Sequence, residues 1–581
     1  MFQSKSLLKN NWILQNVDER LILSLSQKKN ISYLLSKLLI LRGITLDSVE
    51  DYLQSNILDN YPNPFNLIDM EKAINRVIEG IKNNQKFGII ADYDVDGSTS
   101  AAILYKFLSN FTKNISLKIP NRLTEGYGPN IRIMDEMLND NIKIVFTLDC
   151  GTTAFNIIDN IKYNEIDVIV IDHHLSETKL PKVHSIINPN RVDENNNFNQ
   201  MAAVGVTFLF LMGLRKKLRN FNLTMSKTEP NLMSYLDLVA LGTICDVVKL
   251  TDYNRRFVKK GLELIKQRHN KSISKIIDNS KINSAPSASD LGYIIGPQLN
   301  AASRIDDSSL PSKFLISNDI NQIESISRKL FLLNEKRKLI ENKIFEESLQ
   351  DAEKQKKSKY ILVYGKNWHN GVLGIVASRL ISYFNKPVIV VSFINNFGIG
   401  SARSIDNIDL GQIILNAKHQ KILIGGGGHS MAAGIKIKYE KLNNFISFLN
   451  QSLDNYDSSL FDKNSYYDSI ISVNELNNNL LKTLQKMEPY GSGNAEPNFI
   501  IKDLIIESVK IIKEKHLLLF FENNHGEMLK GICFNCINNP LGEYLLNFKK
   551  YKFNFGCSIT VDNYSNQIQP QIIVKDVMIT D

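Results

Sequence analysis

The sequence predicts an α/β chain of several domains followed by an all-β C-terminal part. Three features lead there. Short apolar runs at Phe87–Ala91, Ile144–Leu148 and Val168–Ile171 are separated by helix-length segments, the pattern of parallel strands with crossover helices. A long amphipathic stretch then precedes a second set of strands, which opens at Tyr360-Ile-Leu-Val-Tyr364. From Phe499 onward short strands dominate. The 581 residues allow about three to five domains at about 100–200 residues each.

The elements follow in order. Residues 1–80 read as an N-terminal helical extension: apolar positions recur at helical spacing around Ile31–Leu41, Pro62 and Pro64 interrupt them, and a second helix covers about Met70–Asn83. Residues 81–320 form the first α/β domain. Across 321–358 the apolar residues Ile323, Ile326, Leu330, Leu333, Ile340 and Ile344 recur three or four apart among Lys, Arg and Glu, which predicts one long connecting helix. Residues 359–455 form a second α/β unit. Residues 465–581 carry strand patterns at Leu504–Ile512, His516–Phe521, Leu529–Phe534, Tyr551–Val561 and Gln569–Val577, and a small β-barrel is expected.

Composition sets the class. Hydrophobic residues make up 43% and charged residues 22%, as in an ordinary globular protein with several cores. The longest uncharged apolar stretch, Met201 to Leu214, is too short for a membrane span, which needs about 20 residues. The first 25 residues contain charges throughout and no signal-peptide core. Five cysteines in so long a chain make no disulfide framework. A cytoplasmic multidomain protein is expected, not a secreted, membrane or disordered one. The net charge of +9 concentrates at residues 201–270, with 12 basic against five acidic side chains, and at 321–360, with ten against seven. That is where a polyanion would be held.

The polar residues sit where chemistry is expected. In open α/β sheets ligands bind beyond the carboxyl ends of the strands. There the chain reads Asp92-Tyr-Asp-Val-Asp-Gly97, Asp149-Cys-Gly151 and Asp172-His-His174. Carboxylates crowded on one rim repel, and each raises the pKa of the others unless cations compensate. A mixed Asp/His set suits manganese or magnesium better than a structural zinc site, which prefers thiolates. Asp246, in the apolar context Leu238–Val248, is a fourth contributor, since a lone charge there is costly unless paired or bound to metal. A calcium loop is excluded: counted from Asp92, the position that needs a bidentate Glu is Ile103.

These motifs resemble those of the DHH phosphoesterase superfamily. Further segments narrow the resemblance to its single-strand-specific 5′-to-3′ exonucleases: Pro120-Asn-Arg122 with Gly126-Tyr-Gly128, Gly296–Arg304, Gly371–Arg379, Gly400–Ser404, Gly425–Gly434 and Pro489–Asn494. The resemblance covers nearly the whole chain. It implies a DHH catalytic domain, a DHHA1-type substrate-binding domain and an oligonucleotide-binding (OB) fold at residues 465–581. It also implies Asp94, Asp96, Asp149, His173 and Asp246 as ligands of two Mn2+ or Mg2+ ions, with Asp92 supporting the first loop and His174 beside the scissile phosphate. Arg122, Asn300, Arg304, Ser401, Arg403, Gly427, Gly428 and His429 would bind the substrate and its 5′ phosphate. The chain departs from the family pattern at Gln298, usually Arg, and at Ser303, usually Gly, which leaves a phosphate contact at Gln298 in doubt.

The implied substrate is single-stranded DNA with a 5′ end, degraded to 5′-mononucleotides in repair and recombination. The implied partners are a single-strand-binding protein and a helicase, and a monomer with no membrane association is expected. A short-oligonucleotide phosphodiesterase or a non-catalytic replication scaffold would share the core. The first lacks the flanking domains and the second loses metal ligands. The Gly425–Gly428 run reads either as a structural turn or as a phosphate cradle, and the resemblance favours the cradle. Phe548-Lys-Lys-Tyr-Lys-Phe553 interleaves aromatics with lysines as a strand-binding surface does, although residues 499–581 carry nine basic and nine acidic residues. Cys533-Phe-Asn-Cys536 lacks the second pair of a zinc site, and His369 reads as a packing residue.

Overall fold

A computed structural model describes residues 5–54, 61–220, 229–502, 504–522, 528–562 and 569–580. The chain forms two compact units, one of residues 57–461 and the other of residues 1–56 with 462–581.

In the first unit the three apolar runs are adjacent strands of a five-stranded parallel sheet. Its order is Ile115–Lys118, Phe87–Ala91, Ile144–Leu148, Asp167–Ile171, Ser185–Ile187. Ala91 lies opposite Leu148 and Leu148 opposite Ile171, so the three central strands end flush. The ladder continues one residue further: the amides of Asp92 and Asp149 donate to the carbonyls of Leu148 and Ile171 at 3.1 and 3.0 Å. Backbone pairing thus sets Asp92, Asp149 and Asp172 on one level.

Helix Val95–Leu108 leaves the first strand at once, capped by Asp94, whose Oδ1 accepts from the Gly97 amide at 3.1 Å. Gly97 is required here, because a Cβ would stand 2.4 Å from the Asp92 carbonyl oxygen. Helix Leu236–Cys245 crosses it at Gly242, where a Cβ would meet Thr99 Oγ1 at 2.3 Å, and this close crossing delivers Asp246 to the rim. The predicted connecting helix is a single 35-residue helix, Ile320–Lys354, with Ile323, Ile326, Leu330, Leu333 and Ile344 buried.

The second α/β part has a mixed five-stranded sheet. Its order is Gly425–His429, Ala432–Lys438, Phe397–Arg403, Val388–Ile394, Ile361–Lys366. The glycine run is therefore neither linker nor loop. It is an edge strand, which pairing to Ala432–Lys438 holds extended.

The proposed N-terminal extension 1–80 is divided between the units. Helix Met70–Lys82 buries Met70, Ala73, Ile74 and Val77 in the same core as the parallel sheet. The helices Tyr33–Leu41 and Val49–Gln54 instead bury Leu35, Leu38, Leu39 and Val49 with the C-terminal strands. Hydropathy along the chain reveals apolar faces but not the partner each one meets.

The C-terminal sheet has seven strands, ordered Ser469–Ile471, Phe499–Ile501, Lys552–Val561, Pro570–Thr580, Met528–Cys533, His516–Glu522, Ile506–Ile512. The end strands do not pair among the described residues, so the barrel is open. The segment Phe548–Phe553 is only in part a strand. Phe548–Lys550 is a 3-10 turn and Phe553 faces the core, which leaves Tyr551 as the most exposed of its aromatics. Cys533 and Cys536 are buried free thiols.

Strand Asn11–Leu14 pairs in parallel with Asn464–Tyr467 and is anchored by one buried carboxylate. Asp576 Oδ2 accepts from Ser6 Oγ at 2.6 Å, Asn10 Nδ2 at 2.8 Å and Trp12 Nε1 at 3.1 Å. Asp576→Ala should lower the stability of this unit by about 3 kcal/mol, since each buried donor left unpaired costs about 1–3 kcal/mol. In a Trp368→Phe background, urea unfolding followed by Trp12 fluorescence should show an earlier transition, and an unchanged midpoint would contradict the anchoring.

Candidate metal centre and phosphate site

The sheet rim brings the sequence-predicted residues together in three overlapping groups. Asp92, Asp94 and Asp149 form one, Asp96, His173 and Asp246 a second, and Asp149, His173 and His174 a third; within each, one ligand atom per residue lies within 4.8 Å of the others. Asp149 and His173 join the groups: His173 Nε2 stands 3.3 Å from Asp149 Oδ1, 3.6 Å from Asp246 Oδ2 and 3.9 Å from Asp96 Oδ2. Asp92, expected only to support the loop, stands among these carboxylates. Asp149 adopts a left-handed backbone with φ of 58°, a costly conformation at the junction of the groups. Asp96 is oriented by the start of helix Ala203–Asn220, whose Ala203 and Val204 amides donate to its two oxygens at 2.7 and 2.8 Å.

The electrostatics are those of crowded acids. Burial, followed by Asp94, pushes the Asp96 carboxyl up to about 7. Burial, followed by Asp96 and Asp94, pushes Asp246 up to about 9. Asp92 and Asp149 are raised well above the carboxylate range, again by burial and then by neighbouring aspartates. His173 is brought down to about 4 by burial and by the charge of His174. Four buried atoms of this rim, Asp92 Oδ1, Asp149 Oδ1, His173 Nε2 and Asp246 Oδ2, have no hydrogen-bond partner. Buried polar atoms rarely go unpaired, and this oxygen-rich set with one imidazole fits divalent cations such as Mn2+ or Mg2+.

Two residues quoted in the motifs but given no role of their own complete the arrangement around His174. Asp172 belongs to none of the three groups. Its oxygens accept from the amides of Thr152 at 3.1 Å and His173 at 2.8 Å, and from His174 Nδ1 at 2.8 Å. Burial pushes Asp172 up, but the hydrogen bond and charge of His174 outweigh it and hold the carboxyl below its ordinary value. The same bond raises His174 despite its burial. Tyr127 donates to the Asp149 carbonyl at 2.8 Å and sets its oxygen 3.1 Å from His174 Nδ1. Because a carboxylate only accepts, Nδ1 carries the proton, and among the described residues no hydrogen bond reaches Nε2.

A cluster of arginines lies near this rim. Arg122 stacks on Tyr93 at 4.8 Å, and Arg304 Nη1 donates to the Gly371 carbonyl at 3.0 Å. Arg304 is brought down to about 9 by burial first, then by the like charges of Arg122, Arg337 and Arg403. Arg403 lies 3.4 Å from Ser401 Oγ, and both side chains pack over Gly374, where a Cβ would meet them at 2.8 and 3.0 Å. Pairing sets Gly427, Gly434 and Ser401 in one row across three strands, with His429, Ala432 and Arg403 in the next row on the same face. Gly428 falls on the opposite face. Gln298 is buried and donates to Ser280 Oγ at 2.6 Å and the Ile294 carbonyl at 3.2 Å, so its amide is engaged in helix packing. Ser303 Oγ turns back to the Asn300 carbonyl at 3.2 Å.

Comparison with known proteins agrees with this arrangement. Residues 86–243 match the DHH family N-terminal domain, 357–455 the DHHA1 domain and 467–576 the RecJ OB domain. The chain is 33% identical to the single-stranded-DNA-specific exonuclease RecJ of Haemophilus influenzae, across 82% of this chain and 86% of that one. It is 30% identical to the Escherichia coli enzyme of the same name, across 86% and 90%. The fold is similar to that of Thermus thermophilus RecJ in complex with Mn2+, with a TM-score of 0.80 and 21% identity, covering 98% of this chain and 79% of that one. It is also similar to an exonuclease RecJ bound to manganese, with a TM-score of 0.58 and 27% identity, covering 68% and 98%. On sequence, domain order and the geometry of the acidic rim, the chain belongs to the RecJ family of single-stranded-DNA-specific exonucleases.

Proposed function

We propose that this chain is a metal-dependent exonuclease that hydrolyses single-stranded DNA from the 5′ end to 5′-mononucleotides in DNA repair and recombination. One observation supports this reading above the others: interlocked acidic groups on a flush sheet rim stand near an arginine cluster suited to a terminal phosphate. Asp94, Asp96, Asp149, His173 and Asp246, with Asp92 beside them, would hold two divalent cations. When bound, such ions make hydroxide available near neutral pH and stabilise the attacking and leaving oxygens of a phosphodiester.

The chain's own residues position the strand around that centre. Ser401 and Arg403 bind the 5′-terminal phosphate, and Gly427 and His429 extend the same face. Gly428 contributes through its backbone. Arg122, Asn300 and Arg304 hold the sugar–phosphate backbone, for which an arginine fork is suited. His174, fixed by Asp172, presents Nε2 to the scissile phosphate and can hold or deliver a proton there. A single-strand-binding protein and a helicase are the partners such an activity calls for. No helix among the described residues is long and apolar enough to cross a membrane.

The test is digestion with Mn2+ of a 5′-labelled single strand, a 3′-labelled single strand and a duplex. Labelled mononucleotide should appear at once from the 5′-labelled strand and late from the 3′-labelled one, with the duplex spared. Initial release from the 3′ end, or action confined to dinucleotides as in a short-oligonucleotide phosphodiesterase, would overturn the reading.

A further inference from the structure

We propose that Arg337, on the long helix Ile320–Lys354, is a further substrate-contacting residue that binds a phosphate of the DNA strand beside Arg304. The assignment rests on the exonuclease reading above. It arises from a cavity of about 230 Å³ lined by Cys245, Gly296, Asn300, Arg304, Arg337 and Ile375, among others. Cys245 precedes Asp246 of the acidic rim, and Ile375 follows Gly374, on which Ser401 and Arg403 lie. The cavity therefore adjoins both the metal-ligand side and the terminal-phosphate side of the site.

Arg337 is held rigidly with one nitrogen to spare. Its Nε donates to Asn334 Oδ1 at 3.1 Å and its Nη1 to Glu341 Oε2 at 2.9 Å. Glu341 is fixed in turn by Arg379 Nη1 at 3.0 Å, and Arg379 packs 3.9 Å over Phe345. Among the described residues Nη2 of Arg337 and both Nε and Nη2 of Arg304 make no hydrogen bond, so three guanidinium nitrogens remain for a ligand.

Charge balance says what that ligand is. Glu341 serves two guanidinium groups, and Arg304 pairs with no carboxylate among the described residues. Guanidinium groups confined in a partly buried space and repelling one another need an anion. The unpaired buried acceptor Asn300 Oδ1 needs an N–H or O–H as well. A nucleotide unit carries both: phosphate oxygens for the arginines, and base or sugar donors for Asn300. Two phosphates per strand would then be gripped, one at Ser401 and Arg403 and another at Arg304 and Arg337. The purely structural alternative is that Arg337 only braces Glu341.

Salt dependence separates the two. For single strands, log Kobs falls with log salt by about 0.7 for each phosphate neutralised. Binding of a 5′-phosphorylated single strand is measured in EDTA, which prevents cleavage, across a salt series. Arg337→Met should weaken binding about tenfold and make the slope shallower by about 0.7. Arg337→Gln, which keeps a polar partner for Asn334, carries the same test should the Met variant fail to fold. Glu341→Gln, which disturbs the brace but leaves the guanidinium charge, should lower the melting temperature and keep the wild-type slope. Folded Arg337 variants with the wild-type slope would overturn the assignment. A wild-type chain that binds no single strand would overturn the exonuclease reading itself.

Discussion

His174→Ala should lower kcat by about 10²–10⁴-fold, the range over which a positioned acid–base group acts. Mn2+ affinity should fall by less, at most about 10–100-fold, as when an orienting residue near a metal site is lost. The reason is in the bonding. His173 Nε2 stands among three carboxylates, whereas His174 commits Nδ1 to Asp172, and in the proposed reading its Nε2 faces the substrate. Asp149→Ala is the contrast, because Asp149 belongs to two of the three ligand groups and its loss should reduce turnover and metal binding together. Single-turnover cleavage beside calorimetric Mn2+ titration reads both quantities. Equal losses of turnover and metal affinity in His174→Ala would assign that residue to the ligand set instead.

Without metal, the protein should become less stable as pH rises from about 4 to about 9. Folded-state pKa values of Asp96, near 7, and Asp246, near 9, lie above the ordinary carboxylate value, so the folded chain holds protons that the unfolded chain has released. Stability from these groups is complete below the unfolded value and is lost as pH rises through the folded ones. His173 opposes this only below neutral pH: its folded value near 4 means that stability is lost as pH falls through the ordinary histidine value. The carboxylates should dominate above pH 7. A fall of about 4 °C or more in melting temperature between pH 7 and 9 is expected in EDTA, since 1 kcal/mol moves a large domain by about 2–4 °C. Saturating Mn2+ should abolish that slope. A flat profile in EDTA would show that the carboxylates are not crowded in the apo protein.

Much of this was legible in the sequence because strand-end chemistry is local. Each apolar run ends in its own acidic motif, and parallel neighbours bring those ends to one level without further information. The long helix was legible for the same reason, since its periodicity lies in consecutive residues. The short strands Ile115–Lys118 and Ser185–Ile187 were not foreseen, because three or four residues at a sheet edge carry too little pattern. The role of Asp172 was hidden by its neighbours: an Asp before two histidines looks like another ligand, and only its four donors show it engaged by the protein itself. The glycine run was ambiguous because glycine has no side chain to reveal pairing. Arg337 was invisible, being one of ten basic residues along residues 321–360 and distinguished only by the cavity it reaches.

The pairing of Asn11–Leu14 with Asn464–Tyr467 has a consequence for how the chain is made. Partners 453 residues apart cannot meet until nearly the whole chain has left the ribosome. The unit of residues 57–461 has its strands and core within itself and can fold as it emerges. The first 56 residues cannot, because Leu35, Leu38 and Leu39 bury against C-terminal strands made last. Their apolar faces wait exposed through most of synthesis, and closing so long a loop is a late, slow step. A ribosome that stalls after residue 461 would thus release a chain with a complete acidic rim and an N-terminal segment that has nothing to pack against.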